Sequence, residues 1–258
     1  MATSLFSSVI FGPVQSRRLG VSLGVNLLPN DNKLCNFNCI YCECGWNTPG
    51  IRPRFNSRET VRTELEKTLK GMSENGEKLD VITFAGNGEP TMHPEFEAVI
   101  DDTIALRDRY MPSAKVAVLS NATLIGREPV RRALMRVDDN ILKLDSAFDE
   151  TVRLIDCPNN PGYTVVGTVE NMKQFNGRMI LQTLFVRGTF DGRAVDNTTD
   201  REVEAWLRIV AELHPKRVMI YTIDRDTPAP DLHKVPVDEL EAIAERVRAL
   251  GIDCSVSG

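Results

Sequence analysis

Cys35-Asn-Phe-Asn-Cys39-Ile-Tyr-Cys42 constrains this chain more than any other stretch. Three cysteines fall in an eight-residue window, with three and then two residues between them. That spacing can bring three thiolates to one face of a single cluster. Thiolate is a soft ligand, suited to iron–sulfur clusters and to zinc. A ferredoxin-type cubane takes four cysteines, and so does an all-cysteine structural zinc site. No second C-x2-C or C-x2-H pair follows at zinc spacing. Three ligands on a cubane leave one iron open, and an open position is where chemistry at a metal takes place. Cysteines are also often plain buried hydrophobes. Three of them in a loop-like stretch among Asn and Gly fit that reading poorly. Cys44 extends the pattern to C-x3-C-x2-C-x-C. As a fourth ligand it would close the open iron and turn the site to electron transfer. The fourth ligand in such sites normally comes from further along the chain. Cys35, Cys39 and Cys42 are therefore the expected metal ligands.

The whole chain sets wider bounds. Its 258 residues can bury a core and fit one large α/β domain. A net charge of -5 is no global signature of a nucleic-acid binder. Six cysteines in a chain this long are not a disulfide framework. Clustered as they are, they read as a metal site in a reducing compartment. Cys157 and Cys254 stand alone as ordinary thiols. The first eleven residues lack a basic start and a long apolar run, so neither a signal peptide nor a membrane span is expected. A cytoplasmic location follows as the expectation.

Residues 11–20 read as a turn-rich opening, and 21–28 as a first strand. The cluster loop, 29–56, follows that strand. Ser57 is a plausible N-cap for a helix with Val61, Leu65 and Leu69 on one face and Gly71 as its stop. Strand and helix then alternate. Strands are expected at 80–85, 114–119, 141–145, 179–186 and 217–222, with a short last one at 252–256. Helices are expected at 93–109, 127–137, 165–175, 201–213 and 238–250, the last with a capping box of Asp238 and Glu241. Repeated strand–helix units imply a parallel sheet with right-handed crossovers. A full eight-fold barrel needs about 250 residues with little to spare, and the long loops here consume too much chain. The expected fold is α/β, an incomplete parallel (β/α)6 TIM-type barrel. It is expected as one domain over 1–258, with 1–20 as its lead-in.

In parallel α/β architectures ligands sit at the carboxyl ends of the strands. After the second strand comes Gly86-Asn-Gly-Glu-Pro90, where Gly86 and Gly88 allow close backbone approach around Asn87 and Glu89 can accept from an ammonium group. After the third come Ser120 and Asn121, able to bond a ribose or to close the strand as a local turn. Lys143 and Asp145 are two apart, so both face the barrel interior while Leu142 and Leu144 face the helices. They are either a mutual ion pair or the catalytic candidates, since charges inside are costly unless paired or used. Gln182 and Tyr221 are further inward candidates. Arg17 and Arg18 before the first strand, and Arg225 after the sixth, can converge at the mouth. Arg52, Arg54 and Arg58 follow the cluster. Such arginines suit phosphate or carboxylate groups, or form a solvated rim. His93, His214 and His233 are scattered, and none reads as a ligand or base.

The cysteine spacing, with an aromatic residue just before Cys42, resembles the radical S-adenosylmethionine (radical SAM) enzymes. The Gly86–Glu89 stretch resembles their G-G-E-P motif, with Asn87 as a departure. The resemblance implies a [4Fe–4S] cluster whose open iron chelates the methionine end of SAM. It implies reductive cleavage of SAM to a 5′-deoxyadenosyl radical, which abstracts hydrogen from the substrate. It also implies that Gly86, Asn87, Gly88 and Glu89 hold the methionine end, Ser120 and Asn121 the ribose, and the backbone around Tyr41 the adenine edge. Asp145 is a further cofactor-binding candidate. Phe11-Gly-Pro-Val-Gln-Ser-Arg-Arg-Leu-Gly20 looks most like the wybutosine-type, tRNA-modifying branch. The chain is short and acidic, so the expected substrate is a small, anionic nucleoside- or nucleotide-like molecule or other metabolite. It would be held by Arg17, Arg18, Gln182, Tyr221 and Arg225. A tRNA substrate is the less favoured alternative. A glycyl-radical activase and, outside enzymes, an electron-transfer or zinc module are the other readings. The reaction implies an external electron donor of flavodoxin or ferredoxin type, and no membrane partner.

Overall fold

The computed structural model describes residues 5–16, 18–50 and 52–258. Arg17, expected at the barrel mouth, lies outside the described residues. In chain order the elements are β1 (Ile10–Ser16), β2 (Gly20–Val25), α1 (Arg58–Glu74), β3 (Val81–Phe84), α2 (Phe96–Tyr110), β4 (Lys115–Ser120), α3 (Glu128–Leu134), β5 (Asp139–Lys143), α4 (Asp149–Ile155), α5 (Val165–Lys173), β6 (Ile180–Leu184), β7 (Val186–Phe190), β8 (Arg193–Asp196), α6 (Asp200–Leu213), β9 (Arg217–Tyr221), β10 (Leu232–Lys234), α7 (Val237–Arg248) and β11 (Cys254–Ser257). One sheet runs β1-β2-β3-β4-β5-β6-β9-β11. From β2 onward every pairing in it is parallel, and β1 is antiparallel at one edge. The result is the expected incomplete barrel, curled with its helices on the outside.

Burial explains the sheet. Val81-Ile-Thr-Phe84 and Ile180-Leu-Gln-Thr-Leu184 are buried along their whole length, as strands covered on both faces must be. Ile82, Phe84, Val116, Val118, Leu142, Leu144 and Leu181 belong to the main core shared with the helices. Val81, Ala117, Ile141, Ile180 and Met219, one from each of five strands, form a separate apolar layer inside the half-barrel, with Leu19 and Leu119 against it. That layer floors the interior and leaves the carboxyl ends of the strands for polar side chains. Among the described residues no helix is long and apolar enough to cross a membrane.

Several local expectations need correction. Residues 11–20 are not a loose opening. Most of them form β1, which pairs with β2 across a register shift between Phe11 and Val14; the Gly-Pro pair that suggested a turn lies at that irregularity. β2 ends at Val25, and 26–28 leave the sheet. Ser57 does cap α1, its hydroxyl accepting from the Thr60 N–H at 3.2 Å. Gly71 does not stop that helix, which runs to Glu74. One helical glycine costs only about 1 kcal/mol, and four buried apolar residues hold the helix to the core. The capping box at α7 is absent: the N-cap is Pro236, with no side-chain cap. Helix α4 and the small antiparallel sheet β10-β7-β8 had no clear periodic signal.

The β1–β2 turn is tied to the start of β3. Asp80 Oδ2 accepts from the Val21 N–H at 2.8 Å, and Lys78 Nζ lies 3.0 Å from Oδ1. A Cβ on Gly20 would come 2.5 Å from that same Oδ2, at φ +81. The Val21 N–H first, and then Lys78, hold the Asp80 carboxyl below the usual carboxylate range. A lowered folded-state pKa gives stability that is present above the unfolded value and lost as pH falls through the folded one. Thermal unfolding of Asp80→Asn is therefore expected to show a flatter acid limb than wild type, with the two curves converging at the acid end. Parallel curves across that range would remove Asp80 from the acid response.

Candidate active site

The cysteine loop is held from several sides. The Asn38 N–H donates to Asp156 O and the Ile40 N–H to Ile155 O, each at 2.9 Å, while the Ala229 N–H donates to Ile40 O at 3.1 Å. Asn47 braces the loop from within. Its Oδ1 accepts from the Cys35 N–H at 3.1 Å, and its Nδ2 donates to Cys35 O and Phe37 O at 3.0 Å. Sequence reasoning passed over Asn47, although an asparagine in a Gly/Pro-rich loop is a frequent partner of nearby backbone. Phe37, Cys39, Ile40 and Tyr41 form an apolar cluster with residues of β7, β8 and β10, and Cys35 and Cys42 pack against it. The small antiparallel sheet thus walls the cysteine loop.

All the cysteines are unpaired. Cys35 Sγ accepts from the Phe37 N–H at 3.4 Å and from Asn121 Nδ2 at 3.6 Å. Lys33 is buried, and its Nζ donates to Gly45 O at 2.8 Å. Burial works against its charge, but the sulfurs of Cys42, Cys35 and Cys39 outweigh it and hold the pKa above the ordinary lysine value. A hydrogen bond from Cys44, helped by Lys33 and opposed by burial, brings Cys42 down to about 5. Burial pushes Cys35 up to about 12. The donor set fits an anionic thiolate cluster, because a buried cation and amide donors face the sulfurs. Among the described residues no three His, Cys, Asp or Glu side chains converge as a single ion would require. Thiolates on a cubane bind different irons and need not converge on one point.

The glycine loop packs directly on the cysteine loop. Gly86 and Gly88 have φ of 153 and 140. The Leu34 N–H donates to Asn87 O at 2.8 Å, and the Glu89 N–H donates to Leu34 O at 3.2 Å. A Cβ on Gly88 would lie 1.9 Å from Leu34 O, and one on Gly86 2.5 Å from Asn26 Oδ1. Asn87 is fully buried and turned inward. Its amide spans both backbone groups of Phe6 at 2.9 Å and also donates to Pro29 O at 2.7 Å. It braces the segment before β1 rather than presenting its side chain to a ligand. Glu89 is 2% exposed. Its Oε1 accepts from Thr91 and from Ser120 Oγ at 2.9 Å, and its Oε2 from the Asn121 N–H at 2.7 Å. Burial raises the Glu89 pKa against those hydrogen bonds. The Ser120 hydroxyl is thus engaged with Glu89, and Asn121 Nδ2 with Asn36 at 2.6 Å.

Inside the half-barrel, Lys143 bonds both Asp145 and Asp156, and the Tyr41 hydroxyl donates to Asp145. Asp145 Oδ1 also accepts from the Leu184 N–H at 2.9 Å. Lys143 and Asp145 do meet as the spacing required, and Asp156 from the end of α4 joins them. Burial opposes the Lys143 charge, but the two aspartates hold its pKa well above normal. Burial lifts Asp156 to about 7, with Lys143 pulling it down. Beside this cluster lies a cavity of about 480 Å³ lined by Arg18, Gln182, Thr83, Glu43 and Arg225, among others. Arg18 lies over the Tyr221 ring, 4.5 Å from its centroid, and its Nη1 is buried without a hydrogen-bond partner among the described residues. Arg54 is engaged elsewhere with Asp31 at 2.7 Å, and Arg58 with Asp102 at 2.6 Å. His93 accepts at Nδ1 from the Glu95 N–H and sits 2.9 Å from Asn56 O through Nε2.

Residues 32–197 match the profile of the family described as the Radical SAM superfamily. The chain is 30% identical over 220 residues to a UPF0026 protein of Helicobacter pylori (strain ATCC 700392 / 26695), an alignment spanning 84% of this chain and 67% of that one. It is 29% identical over 220 residues to the UPF0026 protein MJ1312 of Methanocaldococcus jannaschii, spanning 83% and 63%. Over 252 residues it is 30% identical to a protein named GTPase Obg from Brachyspira hyodysenteriae, spanning 96% of this chain but 34% of that protein. The chain thus covers about a third of one relative and under two thirds of another. Its sequence contains no G-x4-G-K-[ST] phosphate loop. Among solved structures, a radical SAM methyltransferase from Sphaerobacter thermophilus superposes with a TM-score of 0.66 at 16% identity, over 92% of this chain and 65% of that one. TYW1 with a lysine-pyruvate adduct bound superposes with a TM-score of 0.60 at 14% identity, over 88% and 73%. At those identities the likeness is one of fold.

Proposed function

The chain belongs to the radical SAM superfamily, and from that membership we propose that it acts on a small anionic substrate held in the half-barrel, with Cys35, Cys39 and Cys42 holding its cluster. It is an enzyme of a family that uses a [4Fe–4S] cluster and S-adenosylmethionine. When bound, those groups supply reductive cleavage of SAM and a carbon-centred radical that removes a hydrogen atom from the substrate. Enzymes of this superfamily act on small or macromolecular substrates and need an electron donor; for this chain we favour a flavodoxin- or ferredoxin-type donor. The rest follows from the chain's own residues. The Phe37 N–H and Asn121 Nδ2 orient the Cys35 sulfur, and Lys33 offsets the charge of the thiolates. Glu89 Oε1 accepts from Thr91 and Ser120, while among the described residues Oε2 accepts from Asn121 alone. Oε2 therefore has capacity for the amino group of SAM. Asn87 acts through the loop it braces. Ser120 positions Glu89, and Asp145, itself bonded by Tyr41, fixes the Lys143 ammonium together with Asp156.

One observation carries the substrate class. Arg18 lines the cavity, its Nη1 is buried with no hydrogen-bond partner among the described residues, and a buried guanidinium donor left unbonded is costly. A carboxylate or phosphate satisfies it with a bidentate, charge-assisted contact. The Gln182 amide can then fix the orientation of the ligand. The net charge of -5 disfavours a tRNA in that role. The test is transfer of substrate hydrogen into 5′-deoxyadenosine, followed by mass spectrometry against fractionated anionic metabolites. The ratio of substrate-dependent turnover to uncoupled SAM cleavage is expected to fall about 100-fold in Arg18→Ala, the loss of roughly 3 kcal/mol of charge-assisted binding. An unchanged ratio, or a true substrate without negative charge, would overturn this reading.

A further inference from the structure

Two cations line the cavity. Arg18 rises from the β1–β2 turn and its guanidinium lies over the Tyr221 ring, which closes β9, while Arg225 follows that strand. Arg225 Nη1 donates to Glu43 Oε2 at 2.8 Å. Glu43 stands between Cys42 and Cys44, so this contact joins the cysteine loop to the segment after β9, and both side chains line the cavity. Their side chains are 64% and 45% exposed. An ion pair so open to water contributes little. A ligand oxyanion that presents two oxygens to the guanidinium, partly out of water, makes the stronger bond. The pair can therefore be exchanged at little cost. Arg18 is placed differently: its Nη1 is buried and without an acceptor among the described residues. The cavity is also lined by Gln182 and by Ser22 and Thr83, whose hydroxyls bond each other at 2.8 Å.

Resting on the reading of an anionic substrate, we propose that the substrate is a dianion with its acidic groups at opposite ends. The inner group sits on Arg18. The outer group takes Arg225 away from Glu43, which serves as a stand-in anion until the substrate arrives. Glu43 is then a specificity-determining residue. It competes weakly with a true dianion, and its charge at the mouth repels an anion that cannot reach Arg18 as well.

The test is anaerobic calorimetry on the cluster-loaded protein with acetate and with a series of straight-chain dicarboxylates of increasing length. One length is expected to bind at least about tenfold more tightly than acetate, the gain from a second charge-assisted contact of roughly 1.4 kcal/mol. Arg18→Gln and Arg225→Gln should each abolish that gain. Glu43→Gln should bind the same diacid about three- to tenfold more tightly than wild type, since the resident competitor is gone. A series in which no diacid outbinds acetate overturns the dianion. A diacid gain that survives Arg225→Gln, or is not increased by Glu43→Gln, overturns the exchange. Acetate binding that is lost in Arg18→Gln leaves the single-anion reading standing in either case, whereas no binding by any acid removes both.

Discussion

Cys39→Ala is expected to emerge from anaerobic reconstitution with almost no iron or sulfide and with no measurable SAM cleavage. Cys44→Ala is expected to keep both. The structure gives the two residues different surroundings. Cys39 is buried among Phe37, Ile40 and Tyr41, in the segment that docks on the end of α4. Cys44 Sγ is turned toward Gly86 O at 3.4 Å, on the side of the glycine loop. Loss of a mere hydrogen-bond partner of a metal ligand costs roughly 10- to 100-fold in affinity or activity, and loss of a thiolate ligand should exceed that. Cys44→Ala removes one hydrogen bond to Cys42 and should fall within or below that range. The measurement is iron and sulfide per chain, followed by SAM cleavage with a chemical reductant. If Cys44→Ala loses iron as completely as Cys39→Ala, four thiolates close the cluster and an electron-transfer centre becomes the better description.

Gly88→Ala is expected to disable the same site without touching a sulfur. The new Cβ would lie 1.9 Å from the carbonyl oxygen of Leu34. That oxygen is backbone, one residue before Cys35, and has no rotamer through which to move. The φ of 140 is also one that alanine rarely adopts. Backbone strain alone costs on the order of 1–3 kcal/mol, and the clash adds to it unless the loops part. Parting them breaks the Leu34–Gly88 pairing and the Glu89 N–H contact to Leu34 O. A reduced unfolding temperature and severalfold lower iron retention should appear together. Gly71→Ala is the control, because nothing lies within 4 Å of its would-be Cβ. A Gly88→Ala protein as stable as wild type and loaded with iron would show that the two loops are not mechanically joined.

Much of this molecule is written in local pattern. The period of apolar residues announces the parallel strands, because a strand covered on both faces must be apolar throughout. The cysteine spacing announces a thiolate site, because ligands from one loop must sit at short intervals. Lys143 and Asp145 share a face by the two-residue repeat alone, and Ser57 caps its helix with atoms three residues away. What sequence could not supply is any contact between distant segments. Asn87 looks like part of a ligand loop, yet its amide is spent on Phe6, 81 residues earlier. Asp156 lies in a stretch with no periodic signal and becomes the second partner of Lys143. β1 hides a strand behind Gly12-Pro13, because pairing with β2 tolerates an irregularity that local propensity counts against it. Arg225 reads as a group for a ligand anion or for a solvated rim, yet it meets Glu43, 182 residues away. Periodicity and ligand spacing are properties of a few consecutive residues, so the sequence determined them by itself. Which polar groups are spent and which remain available to a ligand depends on where distant segments meet, and only the tertiary structure decided that.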